Sequence, residues 1–195
     1  GSSAMHNTTD INASIVSEDN KLGLAVFGQN TAKDAWDANG DGFTELSKIS
    51  GQTVGFRGYV KTGLYSKITA EYHHLEEFRR GGDNIDLPPH EAMIAEQTGH
   101  GINTGGLKFD WFSKDQKHRL NVFASLQHIS RDSYYGAGMD PNAYGKTTDL
   151  TCVGGAQYVF KAGRCLFMPS DLTVGLEYNE AYLRDNMWGY DRVTD

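Results

Sequence analysis

Apolar and polar residues alternate along most of this chain. Ile68, Ala70 and Tyr72 interleave with Lys67, Thr69, Glu71 and His73. Leu120, Val122, Ala124 and Leu126 interleave with Arg119, Asn121, Ser125 and Gln127, and Leu172, Val174, Leu176 and Tyr178 with Thr173, Gly175, Glu177 and Asn179. Side chains of a strand point to opposite faces with period two, so each segment is a strand with one apolar and one polar face. The pattern predicts strands near 10–17, 21–30, 51–61, 65–79, 98–112, 118–134, 147–161 and 171–185. Strands of soluble proteins usually run about five or six residues, whereas a tilted strand needs about 9–11 to cross hydrocarbon. The expected fold is all-β: an antiparallel up-and-down β-barrel of about eight strands, its apolar face outward and its interior wet.

The joints carry a second regularity. Tight turns are expected at Glu18-Asp19-Asn20, Thr62-Gly63-Leu64 and Ser113–Lys117, with a compact joint from Ala162 to Ser170. Between them lie long polar segments at 31–50, 80–97 and 135–146. Short and long connections therefore take turns, as periplasmic turns and extracellular loops do in bacterial barrels. Aromatics stand near strand ends (Phe27, Tyr59, Tyr65, Tyr72, Phe109, Trp111, Phe112, Tyr158, Phe160 and Tyr178), where ring and polar tip suit a membrane interface.

Composition agrees with this. Only 38% of residues are hydrophobic, and no run approaches the ~18 apolar residues of a membrane helix. In a barrel only alternate residues meet lipid, so the low average is expected. The net charge of −7 and the lack of a basic patch interleaved with aromatics argue against nucleic acid as a partner. Cys152 and Cys165 are two cysteines that either pair across the 161–170 turn or stay apart; spacing does not decide. Residues 1–5 read as an expression-tag scar, leaving 6–195 as one domain.

The sharpest local motif is Asp37-Ala-Asn39-Gly-Asp41-Gly42-Phe43-Thr-Glu45. Oxygen donors at alternate positions followed by glycine form the first part of a calcium loop, with Asp37, Asn39, Asp41, the Phe43 carbonyl and Glu45 as candidate ligands. The twelfth position, where an EF-hand carries glutamate, is Lys48, so this is not an EF-hand. A calcium loop and a metal-free Asx-turn loop both stay open. No organic cofactor is expected. His90, in the stiff Pro88-Pro89-His90-Glu91 segment, and the adjacent Tyr134 and Tyr135 are candidate ligand contacts; the tyrosines offer a stacking surface or simply cap a strand. His73 and Glu77 should share one strand face, His74 and Glu76 the other, which is poor geometry for zinc. No P-loop, dinucleotide fingerprint or nucleophile elbow occurs, and an enzyme is not expected.

The run Glu71–Gly82 (EYHHLEEFRRGG), then Asp86–Ala92 (DLPPHEA) and Ala95-Glu96-Gln97, resembles TonB-dependent outer-membrane receptors of the Bacteroidetes type. Ser133–Gly138 and Phe167–Thr173 are similar to the same family, nearest its cobalamin- and colicin-receptor-like branch. The resemblance implies a plugged barrel of about 22 strands. In it, extracellular loops bind a nutrient complex (cobalamin first, siderophore or haem otherwise), and periplasmic TonB acts on an N-terminal box. It further implies that loop calcium orders the binding surface, with Asp37, Asn39, Asp41 and Glu45 in the matching place. No plug or TonB box is found here, so the chain resembles an internal piece of the barrel wall in the bacterial outer membrane, its partners lipid and the parent's ligand. Three alternatives remain: a self-contained eight-stranded surface barrel, a soluble calcium-binding β module, and an enzyme built on His73, His90 or His100.

Overall fold

The computed structural model describes residues 5–164, 167, 168 and 170–187, and the backbone of 190–194. Nine strands form one sheet in sequence order: β1 (His6–Val16), β2 (Leu22–Lys33), β3 (Lys48–Gly63), β4 (Ser66–Gly82), β5 (Ile94–Phe112), β6 (His118–Ala137), β7 (Tyr144–Lys161), β8 (Asp171–Met187) and β9 (Tyr190–Thr194). Every neighbouring pair is antiparallel. The expected all-β, up-and-down architecture is what the chain adopts, with a ninth short strand beyond the eight. Among the described residues β1 pairs only with β2 and β9 only with β8, so the sheet is an open section of a barrel rather than a closed one.

Register sorts the side chains into two faces. One row of directly opposed partners runs Ile15–Leu24–Gly58–Ala70–Leu107–Ala124–Gly154–Tyr178 across eight strands. The next runs Ala13–Val26–Phe56–Tyr72–Gly105–Leu126–Cys152 before reaching Glu180. With Ile68, Phe109, Val122, Ala156 and Leu176 these rows make a continuous apolar band on one face. Its members stand in the open: Leu107 is 59% exposed, Leu126 49%, Val174 60% and Leu176 71%. On β7 the band runs from Leu150 to Phe160, about 34 Å along the strand at ~3.4 Å per residue. On β6 it is shorter, from Leu120 to Leu126, with His128 next. Above the band the same face turns polar at His74, Asn103 and His128. Tyr72 and Tyr178 mark that edge, and Trp111 and Tyr158 mark the edge near the turns.

The opposite face is polar and more crowded. Asp110 accepts from Asn121 (2.8 Å), Thr104 from Gln127 (3.1 Å), and Arg131 donates to Thr147 (3.1 Å), which donates to Asp185 (2.7 Å). Three aromatics expected among the interfacial rings, Phe27, Tyr59 and Phe112, instead belong to this face by register. Phe27, Tyr59 and Phe123 lie over the glycines directly opposite them, Gly55, Gly23 and Gly155. At Gly55 a Cβ would stand 2.4 Å from Phe27 Cζ and 2.7 Å from the Tyr72 carbonyl, so only glycine lets the ring lie against the sheet.

Two turns share one solution. Ser17–Lys21 and Ser113–Lys117 both read Ser-x-Asp-x-Lys. In each, the serine hydroxyl accepts an amide five residues on (Leu22 and His118, both 3.0 Å) and donates to the aspartate, which accepts the lysine amide (3.1 Å). The residue before the lysine, Asn20 or Gln116, takes a positive φ. At the other end the loops are shorter than expected, 34–47, 83–93 and 138–143, because the strands continue above the band. The last of these is shorter than the 162–170 joint, so the sorting of connections by length is weaker than the sequence suggested. Cys152 lies half-buried in β7; Cys165 falls outside the described residues, and with it the question of a bridge.

Candidate metal centre and the loops around it

The 34–47 loop is closed at its base by reciprocal amide–carbonyl bonds between Trp36 and Leu46 (2.9 and 3.1 Å). Within it, carboxylates order the backbone. Asp37 accepts the amides of Gly40 and Gly42, both at 2.7 Å. Asn39 Oδ1 accepts the Asp41 amide (3.0 Å), Asp41 the Phe43 amide (2.8 Å), and Glu45 the Ala38 amide (2.6 Å). Gly42 has φ +86°, a left-handed conformation that a side chain would strain. These bonds, above all the one from Gly42, hold the Asp37 carboxyl below its ordinary pKa.

The result is a ready oxygen cluster. Asp37, Asp41 and Glu45 each offer a carboxylate oxygen, all within 4.8 Å of one another. Asn39 shares the cluster, its Nδ2 donating to Asp41 at 3.0 Å. Phe43 pairs through its backbone with Asp83 of the next loop. Three carboxylate oxygens form a hard donor set, suited to a cation such as calcium rather than to a thiolate- or imidazole-seeking metal, while the Asn39 amide oxygen is taken by the Asp41 amide. Lys48 opens β3, away from the twelfth-ligand role.

The loop is tied to its neighbours by residues the motif search did not single out. Thr44 exchanges backbone and hydroxyl bonds with Gly82 at the end of β4 (3.0–3.1 Å). Asp83 accepts the amides of Met93 (3.2 Å) and Ile94 (2.9 Å), which lower its pKa and fold the 83–93 loop back on itself. Gly138 then donates to the Met93 carbonyl (2.7 Å), bringing in the third loop.

The other candidate contacts occupy different surroundings. Tyr134 is fully buried with Ala92 and Ala95, its hydroxyl donating to the Asp140 carbonyl at 3.0 Å and its ring edge-on to Tyr144. Tyr135, its neighbour on the other face, is 53% exposed. His90 sits in a 3-10 turn (Pro89–Glu91), with Nδ1 2.8 Å from the Tyr144 hydroxyl. Arg80 is buried beside them, its guanidinium donating to the carbonyls of Gly81, Asp83 and Asn84. So the 83–93 loop lies against the outer side of β5–β7 above the band, anchored by Tyr134 and Tyr144; spacing alone gives no signal for that fold-back. His73 and His100 belong to the polar face by register, and the His73 ring lies tilted against Phe27 (centroids 5.2 Å apart), so these histidines do not gather with His90. His74 and Glu76 share the outer face, 3.3 Å apart, as period two required. No family model matches this chain, and no curated protein matches it.

Proposed function

We propose that this chain is a section of the wall of an outer-membrane β-barrel, of the TonB-dependent receptor type, whose parent takes up a scarce nutrient complex, cobalamin in the first place and a siderophore or haem otherwise. The observation that carries the reading is the unbroken apolar band across eight strands, exposed on one face while the other is polar and cross-linked by hydrogen bonds. A water-soluble sheet of this size would cover such a band with a second layer. Among the described residues no second layer exists. Strand lengths of 16–20 residues in β3 to β8 and the open edges at β1 and β9 favour a part of a larger wall over a self-contained eight-stranded barrel.

In this reading the turns lie toward the periplasm and the interlocked loops toward the outside. The Asp37–Glu45 loop would hold calcium and stiffen that outer surface, where Tyr135, on the polar face, meets the parent's ligand; His90 packs on the other side of the sheet against Tyr144. Light scattering in the presence and absence of detergent tests it. The expected result is aggregation in buffer and a defined protein–detergent particle in micelles; a compact monomer without detergent overturns it.

A further inference from the structure

The polar face carries, at its turn end, a concentration of positive charge in a chain whose net charge is −7. An open cavity of about 540 Å³ is lined there by Lys61, Lys67, Lys108 and Arg119 with a single carboxylate, Asp110. That carboxylate is already engaged, 3.3 Å from Lys108 Nζ and accepting from Asn121 at 2.8 Å. Lys61 and Lys67 are directly opposed across β3 and β4. Like charges opposite one another destabilise a sheet, and among the described residues neither lysine has a carboxylate within ion-pair distance. Lys67 has only the ring of Tyr59, 6.0 Å from its Nζ, and Arg119 lies 4.9 Å over Phe112. Beyond the cavity the charges are compensated: Arg57 lies 3.7 Å from Glu71, and Lys161 stands directly opposite Asp171.

We infer that this cavity is an anion site for a small phosphate-bearing solute, held by Lys61 and Lys67 with Arg119 as the third contact. The two ammonium groups suit a multivalent oxyanion as point charges, and the guanidinium fork can donate to two of its oxygens at once. Binding relieves the Lys61–Lys67 repulsion, and the cavity volume is in the range of small-ligand sites. The site lies on the face away from the apolar band, so it does not depend on which loop ligand the parent carries.

Calorimetric titration of inorganic pyrophosphate into the 195-residue chain in neutral detergent tests this. A saturable one-to-one isotherm that weakens with added salt is expected. K61Q/K67Q should weaken it by about tenfold or more, whereas K67R should stay within about threefold, as charge-assisted bonds imply. K67E should abolish binding yet raise the unfolding midpoint of the free chain, because it turns the repelling pair into an ion pair. No saturable binding by the unsubstituted chain, or unchanged binding in K61Q/K67Q, overturns the site. A K67E variant less stable than the parent removes the repulsion argument on which it rests.

Discussion

At the scale of single residues, oxygen donors and glycines set the outcome. Asp37, Asn39, Asp41 and Glu45 are legible as an ordered loop because alternating acceptors before Gly42 leave the backbone few other ways to satisfy its amides, and of these the structure brings carboxylate oxygens of Asp37, Asp41 and Glu45 together. Tyr134 and Tyr135 were not separable in the same way: adjacent in sequence, they fall on opposite faces, and only the loop folding back over β5–β7 decides that Tyr134 is buried. Calcium titration should protect the 34–47 segment from protease, and Asp37→Ala should abolish that protection while leaving far-UV circular dichroism unchanged; protease patterns indifferent to calcium would retire the metal centre. The pH response follows from the carboxylates of Asp19, Asp37, Asp83 and Asp115, all with pKa values held low in the fold, chiefly by hydrogen bonds from amides and serine hydroxyls. Because the folded value lies below the unfolded one, their stabilisation is present above about pH 4 and is lost as pH falls through the folded values. Limited proteolysis should therefore show unchanged loops from pH 7 to pH 5 and opening only under stronger acid. Gly55→Ala should destabilise the sheet by about 1–3 kcal/mol, since the added methyl meets both the Phe27 ring and a backbone carbonyl; urea unfolding measures it.

At the scale of elements, period two gave the strands and their faces, and its limits explain what it missed. At the loop end the strands run two to four residues further than expected, because the polar extensions above the band carry no apolar alternation yet cross-strand pairing continues through them, whereas at the turn end the bounds differ by two residues at most. The assignment of Phe27, Tyr59 and Phe112 to the interface failed because an aromatic fits either face; the opposed glycines are the signal that Phe27 and Tyr59 turn inward. The repeated Ser-x-Asp-x-Lys turn was present in the sequence, and its meaning lies in the side-chain bonds that both copies make. The two faces of β6 should respond differently to the same substitution. Val122→Arg, on the band, should cost about 2–4 kcal/mol of stability in lipid, whereas Ser125→Arg, on the polar face, should cost little. Equal losses in bilayer-based urea unfolding would mean that the faces are misassigned.

At the scale of the whole molecule, the open sheet has two unlike faces, which the proposed function reads as a boundary between lipid and water. One side is an apolar band that no part of the described chain covers, and the other is a hydrogen-bonded polar surface with its own concentration of positive charge. An all-β up-and-down architecture was legible because long alternating strands joined in sequence order leave little topological choice. How far the sheet closes was not, since closure depends on what pairs with the outer edges of β1 and β9. The central claim is that the apolar band faces acyl chains. Nitroxide labels placed singly from Arg119 to Gln127 in a cysteine-free background, with the chain in lipid vesicles, measure it directly through collision with oxygen and with a polar nickel chelate. Oxygen accessibility should peak at Leu120, Val122, Ala124 and Leu126, and nickel accessibility at the residues between them. If the even-numbered positions are instead shielded from both, the band lies in a dry protein interior and the chain is not a membrane wall.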